Sequence, residues 1–118
     1  IDGPFFFGAA SKFKDAMRFV GKTTDVLILR LRKVPAIDST GIATLEDFYY
    51  DCKKRSTILI LSGLHAQPMF ACERAGLLDK IGEINIRGNI DDALNRSREI
   101  LGLPQEEIKA EKESSIEK

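Results

Sequence analysis

Val34-Pro35-Ala36-Ile37-Asp38-Ser39-Thr40-Gly41-Ile42-Ala43-Thr44-Leu45-Glu46-Asp47-Phe48-Tyr49-Tyr50-Asp51-Cys52-Lys53-Lys54-Arg55 is the stretch that decides the fold. It follows an apolar run, Val26-Leu27-Ile28-Leu29-Arg30-Leu31, that reads as a buried strand. Pro35 stops that strand, because proline brings no N–H to a sheet ladder. Asp38 and Ser39 are both good helix caps, each with a side-chain oxygen able to accept from the free N–H groups of a first turn. Ile42, Leu45, Tyr49 and Cys52 then recur at helical spacing, and Phe48 widens the stripe. Lys53, Lys54 and Arg55 close the helix, where cations suit the negative end of its dipole.

The turn made by Asp38, Ser39, Thr40 and Gly41 supports two readings. Capping preferences alone generate such strand-to-helix junctions. A hydroxyl at a helix N-terminus is also well placed to receive or bind a phosphate, since the free N–H groups and the dipole favour negative charge there.

Outward from this stretch, Ile58-Leu59-Ile60-Leu61 forms a second short apolar run. Strand, helix and strand within about 35 residues make a βαβ unit, so the two runs are expected to pair in parallel with a right-handed crossover. Continuous apolar runs of this kind belong to α/β sheets covered on both faces. Upstream, Ile1 reads as the end of a strand whose start is missing, and Phe5 to Phe7 as a short apolar strand used in packing. Ala9, Ala10, Phe13, Ala16, Met17 and Val20 follow helical spacing, which predicts an amphipathic helix stopped at Gly21. Downstream, Pro68 suits the first position of a helix with Met69, Cys72 and Ala75 on its apolar side and Gly76 at its end. Ile84 and Ile86 alternate within residues 82–87, the mark of a half-exposed edge strand. Asn89 caps a last helix whose first turn carries Asp91 and Asp92 and whose buried side is Ile90, Ala93, Leu94, Ile100 and Leu101. Gly102 and Pro104 end it. From residue 105 onward the chain is a Glu/Lys-rich solvated tail. Its removal is expected to change stability by no more than about 0.5 kcal/mol.

Composition narrows the function. The chain has 118 residues, enough for one domain, and its 18 basic and 18 acidic residues balance. That balance argues against nucleic acid as a partner. No segment approaches the ~20 apolar residues needed to span a bilayer. Residues 5–10 are too short for a signal-peptide core and lack a basic flank. Cys52 and Cys72 both fall in helical patterns and read as reduced core thiols. The single histidine, His65, has no acid or nucleophile near it in sequence and reads as an exposed or hydrogen-bonded structural residue. No nucleophile–base pair or metal-ligand spacing is present, so no enzyme activity, metal or cofactor is expected.

Three segments resemble the STAS domain, the module shared by SulP-type anion transporters and bacterial anti-sigma factor antagonists. They are Asp38-Ser39-Thr40-Gly41 at the strand-to-helix turn, Ala75-Gly76-Leu77 at the end of a helix, and Asp91-Asp92-Ala93-Leu94 opening the last helix. Gly3-Pro4-Phe5-Phe6-Phe7-Gly8-Ala9-Ala10 and Leu29-Arg30-Leu31-Arg32-Lys33-Val34-Pro35 look like the transporter branch. The resemblance implies a STAS-like single domain over residues 1–103 with its first strand truncated, followed by a charged tail over residues 104–118. Its fold would be a small mixed sheet with about four helices packed mainly on one face.

The function implied is that of a cytoplasmic regulatory or interaction domain of a SulP-type sulfate or related anion transporter. Its partners would be the transmembrane anion-transport domain of the same polypeptide, on the cytoplasmic side of the membrane, and a soluble regulatory protein. The turn could also bind an anion or nucleotide weakly, with Asp38 opposing by like-charge repulsion. The alternative is a free-standing anti-sigma factor antagonist switched by phosphorylation at Ser39, which occupies the position of that branch's phosphorylated serine. Asp38, Ser39, Thr40 and Gly41 are the candidate phosphorylation or interaction residues.

Overall fold

The computed structural model describes residues 16–102. Val26, Leu27, Ile28 and Leu29 are completely buried there. The strand that holds them, β2 (Asp25–Arg30), is therefore covered on both faces, as its unbroken apolar sequence requires. β3 (Thr57–Ser62) runs parallel beside it, with Val26 opposite Ile58 and Leu29 opposite Leu61. Helix α1 (Ser39–Lys54) makes the connection between them, so the βαβ unit expected from the spacing is present. β1 (Ala16–Phe19) pairs antiparallel on the outer side of β2, and β4 (Ile86–Arg87) pairs parallel with β3. The sheet is mixed, in the order β1-β2-β3-β4.

Strand residues alternate between two cores. Leu27, Leu29, Leu59 and Leu61 pack with Leu45, Phe48 and Cys52 of α1. The same core takes in Cys72 of α2 (Ala66–Arg74) and Leu77 and Ile81 of α3 (Leu77–Ile81). Val26, Ile28 and Ile60 point to the opposite face and meet Ala93 of α4 (Ile90–Leu101), flanked by Ile90, Leu94, Ile100 and Leu101. Three of the four described helices thus cover one face and the last covers the other. α3 is tied to α1 by the Tyr49 hydroxyl, which donates to the Lys80 carbonyl at 2.9 Å, and by the Lys80–Glu46 ion pair at 3.0 Å.

The structure departs from the sequence reading in four places and adds one element that the reading lacks. Residues 16–19 are strand, not the end of an amphipathic helix. Met17 and Phe19 pack into the α4-side core while Ala16 packs into the other, a two-residue period, and Val20 is 73% exposed instead of lying on an apolar stripe. So short a segment fits both periods, and pairing with the edge of β2 decides between them. Residues 83–85 form a 3-10 turn, not a strand, and Ile84 is 53% exposed. The buried member of that segment is Asn85, whose Nδ2 donates to the Ile81 carbonyl and whose Oδ1 accepts from Arg96 Nε. Helix α2 begins at Ala66, so Pro68 sits inside its first turn, where a missing N–H costs nothing. Ala75 is exposed and caps α2; it is not part of the apolar side. Finally, Leu77 and Leu78 open the short helix α3 after Gly76, whose φ of 76° makes the left-handed turn. The expectations for Ile1, for residues 5–7, for Ala9, Ala10 and Phe13 and for the tail lie outside the described residues.

Candidate functional site

Pairing with β3 continues just past β2, where the Leu31 N–H donates to the Ser62 carbonyl at 2.8 Å. The chain then turns, with Val34 N–H donating to the Leu31 carbonyl, and reaches Ile37, which is buried. Both backbone polar groups of Ile37 are satisfied by one side chain. Its N–H donates to Gln67 Oε1 at 2.7 Å, and Gln67 Nε2 donates to its carbonyl at 3.1 Å. An unpaired buried backbone group would be costly, so this contact fixes where the chain enters the next turn.

Asp38 is the helix cap. Its backbone is extended, with φ −90° and ψ −177°, and its Oδ1 accepts from the Gly41 N–H at 2.8 Å. Its carbonyl accepts from Ile42 N–H at 2.9 Å, the first bond of α1. Of the two candidate caps it is thus Asp38, and not Ser39, that does the capping. Ser39 is the first helical residue, exposed, and among the described residues its hydroxyl makes no hydrogen bond. Thr40 is also exposed, and its carbonyl accepts from Thr44 Oγ1 at 3.0 Å. Gly41 lies beneath them, buried. A Cβ there would stand 2.8 Å from Ile37 Cγ2 and 3.3 Å from Asp38 Oδ1. The turn is therefore packed onto Ile37 by a close approach that only glycine permits.

Beside the turn runs an open groove of about 500 Å³ between the start of α1 and α2. Ile37, Asp38, Ser39 and Ile42 line one side, and Gln67, Phe70, Ala71, Arg74 and Ala75 the other. Phe70 is 56% exposed, and the Arg74 guanidinium lies over its ring, 5.5 Å from the centroid. Arg74 and Asp38 give the groove one charge of each sign. Asp38, Ser39, Thr40 and Gly41, the four residues singled out in the sequence, make the capped start of α1. The sequence alone does not single out Gln67, Phe70 or Arg74, which line the groove. For Phe70 a signal exists, an aromatic off the apolar stripe of a short helix. For Gln67 none does, since its partner is 30 residues away.

The other reactive groups lie elsewhere. Cys52 and Cys72 are free and buried in the α1–α2–α3 core. Burial, aided by the charge of Asp51, pushes the Cys52 thiol up to about 12, and burial pushes Cys72 up to about 11. His65 is exposed, and its Nε2 donates to the Arg32 carbonyl. Among the described residues no group of three or more His, Cys, Asp or Glu converges on a metal-sized site, and no helix is long and apolar enough to cross a membrane. What this surface offers is the exposed Ser39 hydroxyl, the exposed Phe70 ring and the Arg74 cation.

Comparison with known proteins places this geometry. The family model described as STAS domain matches residues 1–93. YvdB of Bacillus subtilis (strain 168), whose name assigns it to sulfate transport, is 32% identical over 84 residues, 70% of this chain and 16% of that protein. The "Probable sulfate transporter 4.2" of Arabidopsis thaliana is 29% identical over a region covering 70% of this chain and 14% of that protein. The chain thus corresponds to about one-sixth or less of the length of these relatives. Among solved structures, a sulfate transporter family protein from Wolinella succinogenes superposes with a TM-score of 0.62 at 39% identity, over 83% of this chain and 80% of that one. The SulP transporter STAS domain from Vibrio cholerae superposes with a TM-score of 0.60 at 34% identity, over 79% and 73% of the two chains. With the family model matched from residue 1 to residue 93 and the mixed sheet agreeing with both solved domains, the chain belongs to the STAS domain family.

Proposed function

We propose that this chain is the cytoplasmic regulatory and interaction domain of a SulP-type anion transporter, and that the Asp38–Gly41 turn with its groove is a contact surface. The observation that carries the transporter reading is the kinship itself. The two solved structures and the two sequence relatives described above are named for sulfate or SulP transport. The observation that supports the contact surface is that the Asp38 side chain caps α1, which leaves Ser39 exposed at the head of the helix, its hydroxyl without a hydrogen bond among the described residues.

In this reading residues 1–103 make the domain and residues 104–118 a charged tail. The domain works by binding and has no catalytic step. Its first partner is the transmembrane domain of the same polypeptide; a soluble regulator is the second. A phosphate on Ser39 would add about −1.5 to −2 charges beside the positive end of α1 and change what the patch recognises without unfolding it.

The reading frame that encodes the chain tests this directly. A transporter domain requires several segments of about 20 apolar residues ahead of it in the same frame. A frame that opens with methionine a few residues before Ile1 would instead give the free-standing antagonist.

A further inference from the structure

Gln67 bonds to Ile37 as a strand residue would, accepting at 2.7 Å and donating at 3.1 Å, but with its side chain. Two residues earlier on the same segment, His65 Nε2 donates to the Arg32 carbonyl. The start of α2 therefore grips the β2–α1 connection at two points. Among the described residues, the backbone of residues 35–37 makes no main-chain hydrogen bond of its own. Gln67 is thus its polar anchor there. Ile37 in turn lies directly against Gly41, so its position passes to the turn by contact.

We propose that Gln67 is the positioning residue of this surface: its amide holds the Asp38–Gly41 turn in register with α2. Ser39 on one side and the Phe70–Arg74 pair on the other are then presented to a partner as one rigid unit. This rests on the contact-surface reading above and adds to it the requirement that both elements act together. Without the amide, two backbone groups of a buried residue lose their partners, and the cheapest repair is for residues 35–38 to swing toward water. The sheet would hold, because β2 and β3 pair with each other and not with this segment, and the loss would fall on the Ile37 corner of the α1-side core.

The test uses the full chain with Gln67→Met, which keeps the side chain's bulk and removes both hydrogen bonds. Amide exchange should show the protection of the Ile37 N–H falling at least tenfold, with Leu27 and Leu59 unchanged. Coupling is read by adding Phe70→Ala. In the parent it should move the amide resonances of Ser39 and Thr40; in the Gln67→Met background it should no longer do so. If Gln67→Met does not fold, Gln67→Glu keeps the acceptor, loses the donor and should show a reduced response. Ile37 protection unchanged within twofold, or the same response to Phe70→Ala in every background, would overturn the proposal. Loss of coupling while Gln67→Met, placed in the full polypeptide that carries this domain, leaves transport at the parent rate would leave the clamp standing and remove the contact-surface reading instead.

Discussion

Asp38 Oδ1 accepts the Gly41 N–H at 2.8 Å across Ser39, whose own hydroxyl takes no part in the cap. The energetic role and the exposed chemistry of the turn are thus divided between neighbouring residues. Asp38→Ala should cost about 0.5–2 kcal/mol, the usual worth of a side-chain cap. Ser39→Ala should stay within about 0.5 kcal/mol, as surface changes do. Urea denaturation of the two variants checks this, and an equal loss for both would mean the serine shares the cap.

Gly41→Ala pits two effects against each other. Alanine is favoured over glycine in a helix by up to about 1 kcal/mol. The new methyl, however, would meet Ile37 Cγ2 at 2.8 Å. That group belongs to a buried β-branched side chain, stiff about its first torsion, so it cannot turn aside. Overpacking of this kind costs about 1–3 kcal/mol. The net expectation is destabilisation, with the amide resonances of residues 37–42 displaced. A stabilised variant would show that the turn is looser than the contact implies.

The thiols predict a behaviour in alkali. Cys52 and Cys72 sit near 12 and 11 in the fold against an ordinary value of 9.0, because burial disfavours the thiolate. Above pH 9 the unfolded chain therefore releases protons that the folded chain keeps. Stability present below pH 9 should fall by about 1.4 kcal/mol per pH unit for each titrating thiol until its folded value is reached. Chemical denaturation between pH 8 and pH 10.5 measures this, and the double variant with both cysteines replaced by alanine should lose that part of the slope. At neutral pH an alkylating reagent should modify the thiols only as fast as the chain opens.

How much of this was legible in the sequence follows from how local each feature is. β2, α1 and β3 were readable because long apolar runs and a clean helical stripe admit one reading each. α4 was readable from Asn89, whose side chain does accept from Asp92 N–H at 2.9 Å, and from Gly102, whose φ is 77°. β1 was not, since four residues carry too little period to outweigh pairing with a neighbour. α3, five residues long, is fixed by docking of Leu77 and Ile81 and by Lys80 against α1, none of it local. In the site, the turn itself was legible from cap chemistry. The choice between Asp38 and Ser39 was not, because both types cap well and only geometry separates them. Gln67 was invisible because its function is a contact with backbone, which any residue would supply equally.

The central claim is that the turn is a contact surface and more than a helix cap. Its most direct test places Ser39→Asp and Ser39→Ala in the full polypeptide that carries this domain, with circular dichroism as the folding control. Aspartate adds one negative charge at the positive end of α1, where the dipole partly offsets repulsion from Asp38, so both variants should fold. The account predicts that Ser39→Asp changes the transport rate or the retention of a partner while helix content stays unchanged. If both variants fold, transport at the parent rate and retain every partner, the turn is a helix cap alone and the claim is contradicted.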